Sequence, residues 1–146
     1  MQSCFRYQDN SFYVEDVSVK EIVQAVGTPC YIYSYSTLVE SFKVLNESFS
    51  RVDPLICYSV KANSNLAVLK TFAKLGAGFD IVSGGELIRV LRVGGDPSKI
   101  VFSGVGKTEE EMKAAIEAGI LLFNVESIEE LYALNGVAKG LRKKAG

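Results

Sequence analysis

From residue 55 onward the sequence repeats one alternation: a short apolar run that favours extended backbone, then a longer stretch with apolar residues at three- and four-residue steps. The short runs are LICYSV (55–60), FDIV (79–82), KIVF (99–102) and ILLFN (120–124), and their starts are 24, 20 and 21 residues apart. The stretches between and after them are NLAVLKTFAKLG, SGGELIRVLRVGG, TEEEMKAAIEAG and SIEELYALNGVAKG. Their spacing predicts amphipathic helices. Strand–helix alternation predicts parallel strands, because a crossover helix returns the chain to the end of the sheet where the last strand began. Such strands are buried on both faces, which explains why the short runs are almost wholly apolar.

The helix ends carry their own signals. Thr108 with Glu111, and Ser127 with Glu130, have capping-box spacing. Gly76, Gly94 and Gly119 stand where helices must stop before the next strand. A regular period also suits a leucine-rich repeat, but that repeat's leucine and asparagine pattern is missing. No G-x-G-x-x-G follows a strand, which lowers the dinucleotide-binding version of a doubly wound sheet. A (β/α) barrel fits better, yet four units are half of what a (β/α)8 barrel needs to close. The chain is therefore either an open α/β domain or a portion of a longer barrel protein.

Upstream, residues 5–14 predict a short strand pair turning at Asp9-Asn10, and SVKEIVQAVG (18–27) predicts a helix opened by Ser18 and Glu21. TPCYIYS (28–34) predicts a strand leading into a helix from about Ser36 to Phe49. We divide the chain into an amino-terminal segment, 1–35, and a strand–helix region, 36–146. The basic tail, KGLRKKAG, reads as a fraying helix end.

Composition excludes several functions. The chain has 146 residues and a net charge of −1, from 16 basic and 17 acidic residues, so no electrostatic feature points to nucleic acid or an anionic membrane. It has no histidine, which removes histidine triads and most zinc sites. Cys4, Cys30 and Cys57 are far apart and have no zinc-ligand spacing, so we expect no metal site and a reduced compartment. The amino terminus lacks a signal peptide's basic start and apolar run, and no apolar stretch is long enough to span a bilayer. These features predict a cytoplasmic protein.

Three places could carry chemistry. Lys61 directly follows the first strand run. On a barrel, the carboxyl ends of the strands face the active-site mouth. Desolvation there favours the neutral amine, which can condense with an aldehyde. On position alone a solvated surface lysine is the simpler reading. Asp80 lies inside FDIV and needs a partner if buried; it could hold a cationic group, or serve as an ordinary strand-end acid. Ser83-Gly84-Gly85-Glu86 opens a helix; such amides can hold an anion, although Ser83 and Glu86 also form a capping box without any ligand. Ser103–Thr108 is glycine-rich but lacks the Walker A pattern, and reads as a tight turn capped by Thr108.

In order along the chain, GTPCYIYS (27–34), CYSVKANSNLAVLK (57–70), GAGFDIVSGGEL (76–87), KIVFSGVGKTEEEM (99–112) and FNVESIEEL (123–131) resemble the diaminopimelate decarboxylases. YSVKAN is the most specific piece and is similar to that family's tyrosine–x–valine–lysine–x–asparagine cofactor motif. The resemblance implies an alanine racemase-type (β/α)8 barrel, truncated here before its later strands and a following β-sandwich domain. It implies pyridoxal 5'-phosphate as cofactor, with Lys61 as the lysine that holds it and Asp80 and Glu86 as acidic residues near it. It also implies decarboxylation of meso-2,6-diaminopimelate to L-lysine, an amino-acid substrate, and a homodimer of the full-length protein. The family's stacking histidine, phosphate loop, ring-nitrogen carboxylate and substrate arginine have no match here, so the chain alone is expected to be inactive. Ornithine, arginine or carboxynorspermidine decarboxylases, and a non-catalytic pyridoxal-phosphate-binding regulator, are the alternatives. The VSGGEL stretch favours the diaminopimelate branch.

Overall fold

The structure, a computed structural model, describes residues 4–146; Met1–Ser3, the opening of the amino-terminal segment, lie outside the described residues. Two compact units divide between Val52 and Asp53.

The first unit holds β1 (Phe5–Gln8), β2 (Ser11–Val14), β3 (Val17–Ser18), α1 (Val19–Val26) and α2 (Tyr35–Ser48). The strands form an antiparallel sheet in the order β1-β2-β3. The expected hairpin turns at Asp9 and Asn10, both at positive φ (48° and 58°), as a two-residue hairpin loop of this hand requires. Ser18 precedes α1 as expected, but its side chain makes no cap hydrogen bond. Residues 28–34 do not pair into a sheet, contrary to the sequence expectation. Alternating β-favouring residues set a backbone preference, but a strand also needs a neighbouring strand to bond with. The run ends in a tight cap instead. Ser34 Oγ accepts from Thr37 N at 3.1 Å and donates to Glu15 Oε1 at 2.7 Å. Glu15 Oε1 also accepts from Ser36 N at 2.8 Å, and these bonds, Ser36 foremost, hold the Glu15 carboxyl below the usual glutamate value.

The second unit alternates β4 (Cys57–Ser59), α3 (Leu66–Lys74), β5 (Gly78–Ile81), α4 (Gly84–Arg92), β6 (Ile100–Phe102), α5 (Glu109–Ala118), β7 (Leu122–Phe123) and α6 (Ile128–Leu141). The strands are all parallel, in the order β4-β5-β6-β7. Each crossover therefore steps to the next neighbour in one direction. A doubly wound sheet reverses direction at a switch point, whereas a barrel does not. The unit is thus an α/β partial barrel of four strand–helix units.

Burial explains the order. Phe79, Ile81, Ile100 and Phe102 are all 0% exposed, as are Leu69, Val90 and Ala115 from the helices. In the register Phe79↔Ile100 and Ile81↔Phe102, these strand residues share one face, and the helices cover it. Each phenylalanine or isoleucine so buried contributes roughly 1.5–3 kcal/mol. Gly76, Gly94 and Gly119 end α3, α4 and α5 at positive φ, as expected.

The strands are shorter than the apolar runs. LICYSV keeps only Cys57–Ser59 in the sheet, and Val60–Ala62 tightens into a 3-10 turn with Val60 wholly buried. Lys61 therefore sits in a turn just past β4, not on the strand itself. Among the described residues, no helix is long and apolar enough to cross a membrane.

Candidate functional site

The face of the sheet away from the buried set carries Ser59↔Asp80↔Val101↔Leu122 in register. At the carboxyl ends of the strands this face becomes polar. Ser59 Oγ donates to Asp80 Oδ2 at 3.3 Å, and Ser103 Oγ donates to Asp80 Oδ1 at 2.6 Å. Asn124 Nδ2 in turn donates to Ser103 Oγ at 3.0 Å. One side chain from the end of each strand thus joins a chain centred on the Asp80 carboxylate. Because Asn124 donates into Ser103 Oγ, the serine's own proton goes to Asp80, which acts purely as an acceptor. Two hydroxyl donors leave the carboxylate lone pairs to spare for a cationic or N–H-bearing ligand.

Lys61 lies at the same end of β4 and is exposed. The dry pocket expected for it is not supplied by the described residues: a four-stranded open sheet has only one wall, and Lys61 is exposed.

Glu86 and the glycine-rich start of α4 form a closed cap. Glu86 Oε2 accepts from Val82 N at 2.7 Å, and Ser83 Oγ accepts from Glu86 N at 3.3 Å. Gly84 N donates to Glu111 Oε1 at 2.7 Å. These amides already hold side-chain acceptors, so the capping reading accounts for this segment and no anion is needed to satisfy it. Glu86 thereby braces the strand end that carries Asp80. Glu111 also accepts from Thr108 N at 3.0 Å, completing the expected capping box. The Thr108 and Gly84 amides, in that order, hold its carboxyl below the usual value.

The most buried charge at this end was not evident from spacing. Lys107, read from the sequence as part of a tight turn, has a side chain that is 0% exposed. Its ammonium donates to Gly104 O at 2.7 Å, Asn124 O at 2.8 Å and Glu130 Oε1 at 2.5 Å. It also lies 5.8 Å from the centre of the Phe102 ring. Lys107 thus ties the loop after β6 to the loop after β7, directly beside Ser103 and Asn124. Glu130 was expected to close a capping box with Ser127. Ser127 Oγ does accept from Glu130 N at 3.1 Å, but the Glu130 carboxylate goes to Lys107 and to Glu126 N. No local signal announces this pair, whose members are 23 residues apart.

Cys57 sits lower on the same face. Burial first, and the Asp80 carboxylate second, push its thiol up, so it is a poor nucleophile. Among the described residues, no cluster of histidine, cysteine or carboxylate side chains could hold a metal ion.

The sequence and the fold of this chain have counterparts among known proteins. The family model described as "Pyridoxal-dependent decarboxylase, pyridoxal binding domain" matches residues 35–144. The chain belongs to this decarboxylase family. Diaminopimelate decarboxylase of Vibrio cholerae is 55% identical over 142 residues, covering 97% of this chain and 34% of the relative. The crystal structure of AQ1208 from Aquifex aeolicus superimposes with a TM-score of 0.94 at 47% identity, over 99% of this chain and 35% of that one. Diaminopimelate decarboxylase from M. jannaschii, solved in co-complex with L-lysine, gives 0.92 at 37% identity, over 97% of this chain and 34% of that one. The chain spans about a third of the length of the relatives it matches. The family's cofactor is pyridoxal phosphate, and the donor set fits it: an accessible amine for the aldehyde, and a carboxylate that only accepts hydrogen bonds for a cationic group.

Proposed function

We propose that this chain is the amino-terminal portion of a diaminopimelate decarboxylase, which converts meso-2,6-diaminopimelate to L-lysine and carbon dioxide. The observation that carries the reading is that Lys61, within YSVKAN, lies in the turn just after Ser59, which joins the Asp80-centred polar chain at the carboxyl ends of the parallel strands. The high identity to diaminopimelate decarboxylases supports the choice of substrate.

Pyridoxal phosphate, when bound, supplies an electron-withdrawing ring that takes up the electron pair left as the carbon–carboxylate bond breaks. Lys61 would hold the cofactor through its aldehyde, and its amine, when not so engaged, would be available to carry a proton. Asp80 fixes a donor or cationic group near that amine, with Ser59 and Ser103 setting the direction of its oxygens. Glu86 acts on this site through the backbone, by holding Val82 N next to the strand that bears Asp80. Water exclusion, phosphate binding and recognition of the substrate's distal end fall to residues beyond the described sheet. We infer a cytoplasmic enzyme that works as a homodimer on a small amino acid.

The test uses the full-length protein. Incubation with pyridoxal phosphate, borohydride reduction and peptide mapping are expected to tag Lys61, and Lys61→Ala is expected to abolish lysine formation. Tagging elsewhere, with Lys61 unmodified, refutes the assignment. Turnover of ornithine or arginine in preference to diaminopimelate refutes the substrate but leaves Lys61 standing.

A further inference from the structure

Lys61 sits in a turn that is pinned on every side except its own side chain. Before it, Val60 is wholly buried. After it, Asn63 Oδ1 accepts from Asn65 N at 2.9 Å, and Asn65 Oδ1 accepts from Ala67 N at 2.9 Å to cap α3. Across the base of the turn, the Tyr58 hydroxyl donates to Asn63 O at 3.2 Å. That bond spans five residues and closes the loop formed by Tyr58–Asn63. The Tyr58 ring is itself held, stacked on Phe72 of α3 with centroids 4.2 Å apart and planes 18° apart. The tyrosine thus stands on a fixed base and ties the far end of the turn to β4, while the Lys61 side chain stays exposed.

We propose that Tyr58 is a positioning residue for Lys61, acting through the Asn63 carbonyl to hold the turn that aims the amine over the strand ends. The inference rests on the reading of Lys61 as the cofactor lysine. The ring contact with Phe72 and the hydroxyl bond are separable, because Tyr58→Phe keeps the first and removes only the second. Without the hydroxyl the Asn63 carbonyl turns to water, the turn samples other geometries, and the amine keeps its reactivity but loses its aim.

The experiment compares wild-type and Tyr58→Phe full-length protein in two arms. In the first, pyridoxal phosphate condenses with an amine by loss of water, borohydride supplies the hydride that makes the link permanent, and mapping gives the share of label on Lys61. In the second, formaldehyde and borohydride methylate amines with no demand on a second contact. A neutral hydrogen bond of ordinary strength predicts a fall of about fivefold in Lys61's share of the pyridoxal phosphate label. Methylation of Lys61 is expected to stay unchanged, and hydrogen exchange to quicken over residues 60–64 while α3 stays protected. An unchanged share of label overturns the proposal. So does an equal loss in both arms, which means the amine has been hidden rather than misdirected. If exchange quickens throughout the unit, the tyrosine is a structural support and the proposal also falls. A wild-type protein that never carries label on Lys61 is a distinct result: it refutes the cofactor-lysine reading itself and takes this inference with it.

Discussion

Replacing Lys107 with methionine removes the best-buried cation at the strand ends while keeping most of its apolar stem. The ammonium is wholly enclosed, and the side chain of its partner, Glu130, is only 9% exposed. The substitution deletes bonds to Gly104 O, Asn124 O and Glu130 Oε1 together. Breaking a buried pair by removing one member costs about 3–5 kcal/mol, because the other charge stays behind unpaired. That is a large part of a domain stability of roughly 5–15 kcal/mol. With a urea m-value of about 2 kcal/mol per molar, the unfolding midpoint is expected to fall by about 1.5–2.5 M. Lys107→Met combined with Glu130→Leu removes both charges, and buried pairs replaced by apolar residues are often close to neutral, so the double variant is expected to regain at least half of the loss. Urea unfolding followed by circular dichroism reads all the variants. A midpoint within about 0.3 M of wild type for the single variant would refute the claim that this ion pair is a structural tie. A double variant as unstable as the sum of the singles would refute the attribution to an abandoned charge.

Three further outcomes follow from the same structure. Gly78→Ala places a Cβ 2.5 Å from Lys99 O, just before β6, and 2.7 Å from Cys57 Sγ of β4, so it is expected to cost about 1–3 kcal/mol; an unchanged urea midpoint would contradict this packing. Glu111 has its folded pKa lowered by the Thr108 and Gly84 amides, so its contribution is full above the usual glutamate range and is lost as acid titrates it through the lowered value. Glu111→Gln is therefore expected to lose less stability than wild type on acidification below the usual glutamate range, and equal losses in the two proteins would sink the linkage. The 146-residue chain by itself, which closes only half a barrel mouth, is expected to form no lysine from diaminopimelate even with pyridoxal phosphate added; lysine detected by chromatography would overturn that.

Much of the site was legible because its signals are short. Lys61 is singled out by the apolar run before it and by the resemblance of YSVKAN to the family's cofactor motif, and Asp80 by its place within FDIV; their roles toward a cofactor remain a proposal. The capping role of Ser83 follows from its spacing to Glu86 and holds in the structure, but the Glu86 carboxylate takes Val82 N, one residue before the cap, so the reciprocal half of the expected box is not made. The drying of Lys61 was not obtained, because burial depends on an opposite wall that four open strands do not form. Residues 28–34 read as a strand from alternation alone, yet pairing requires a partner edge.

The sequence by itself determined the strand–helix rhythm, the caps at Thr108 and Ser127, the glycine stops and the position of the amine. Each depends on residues within a few positions of one another, where backbone preference and local hydrogen bonds decide. Tertiary structure alone decided that Ser103 and Asn124 complete the Asp80 chain, that Glu111 reaches Gly84, and that Lys107 claims the Glu130 carboxylate from its cap. These partners lie 21 to 27 residues apart in the chain and meet only because parallel pairing sets the register of neighbouring strands. Register is chosen by how the buried faces of whole strands fit together, a property that no short stretch of sequence contains.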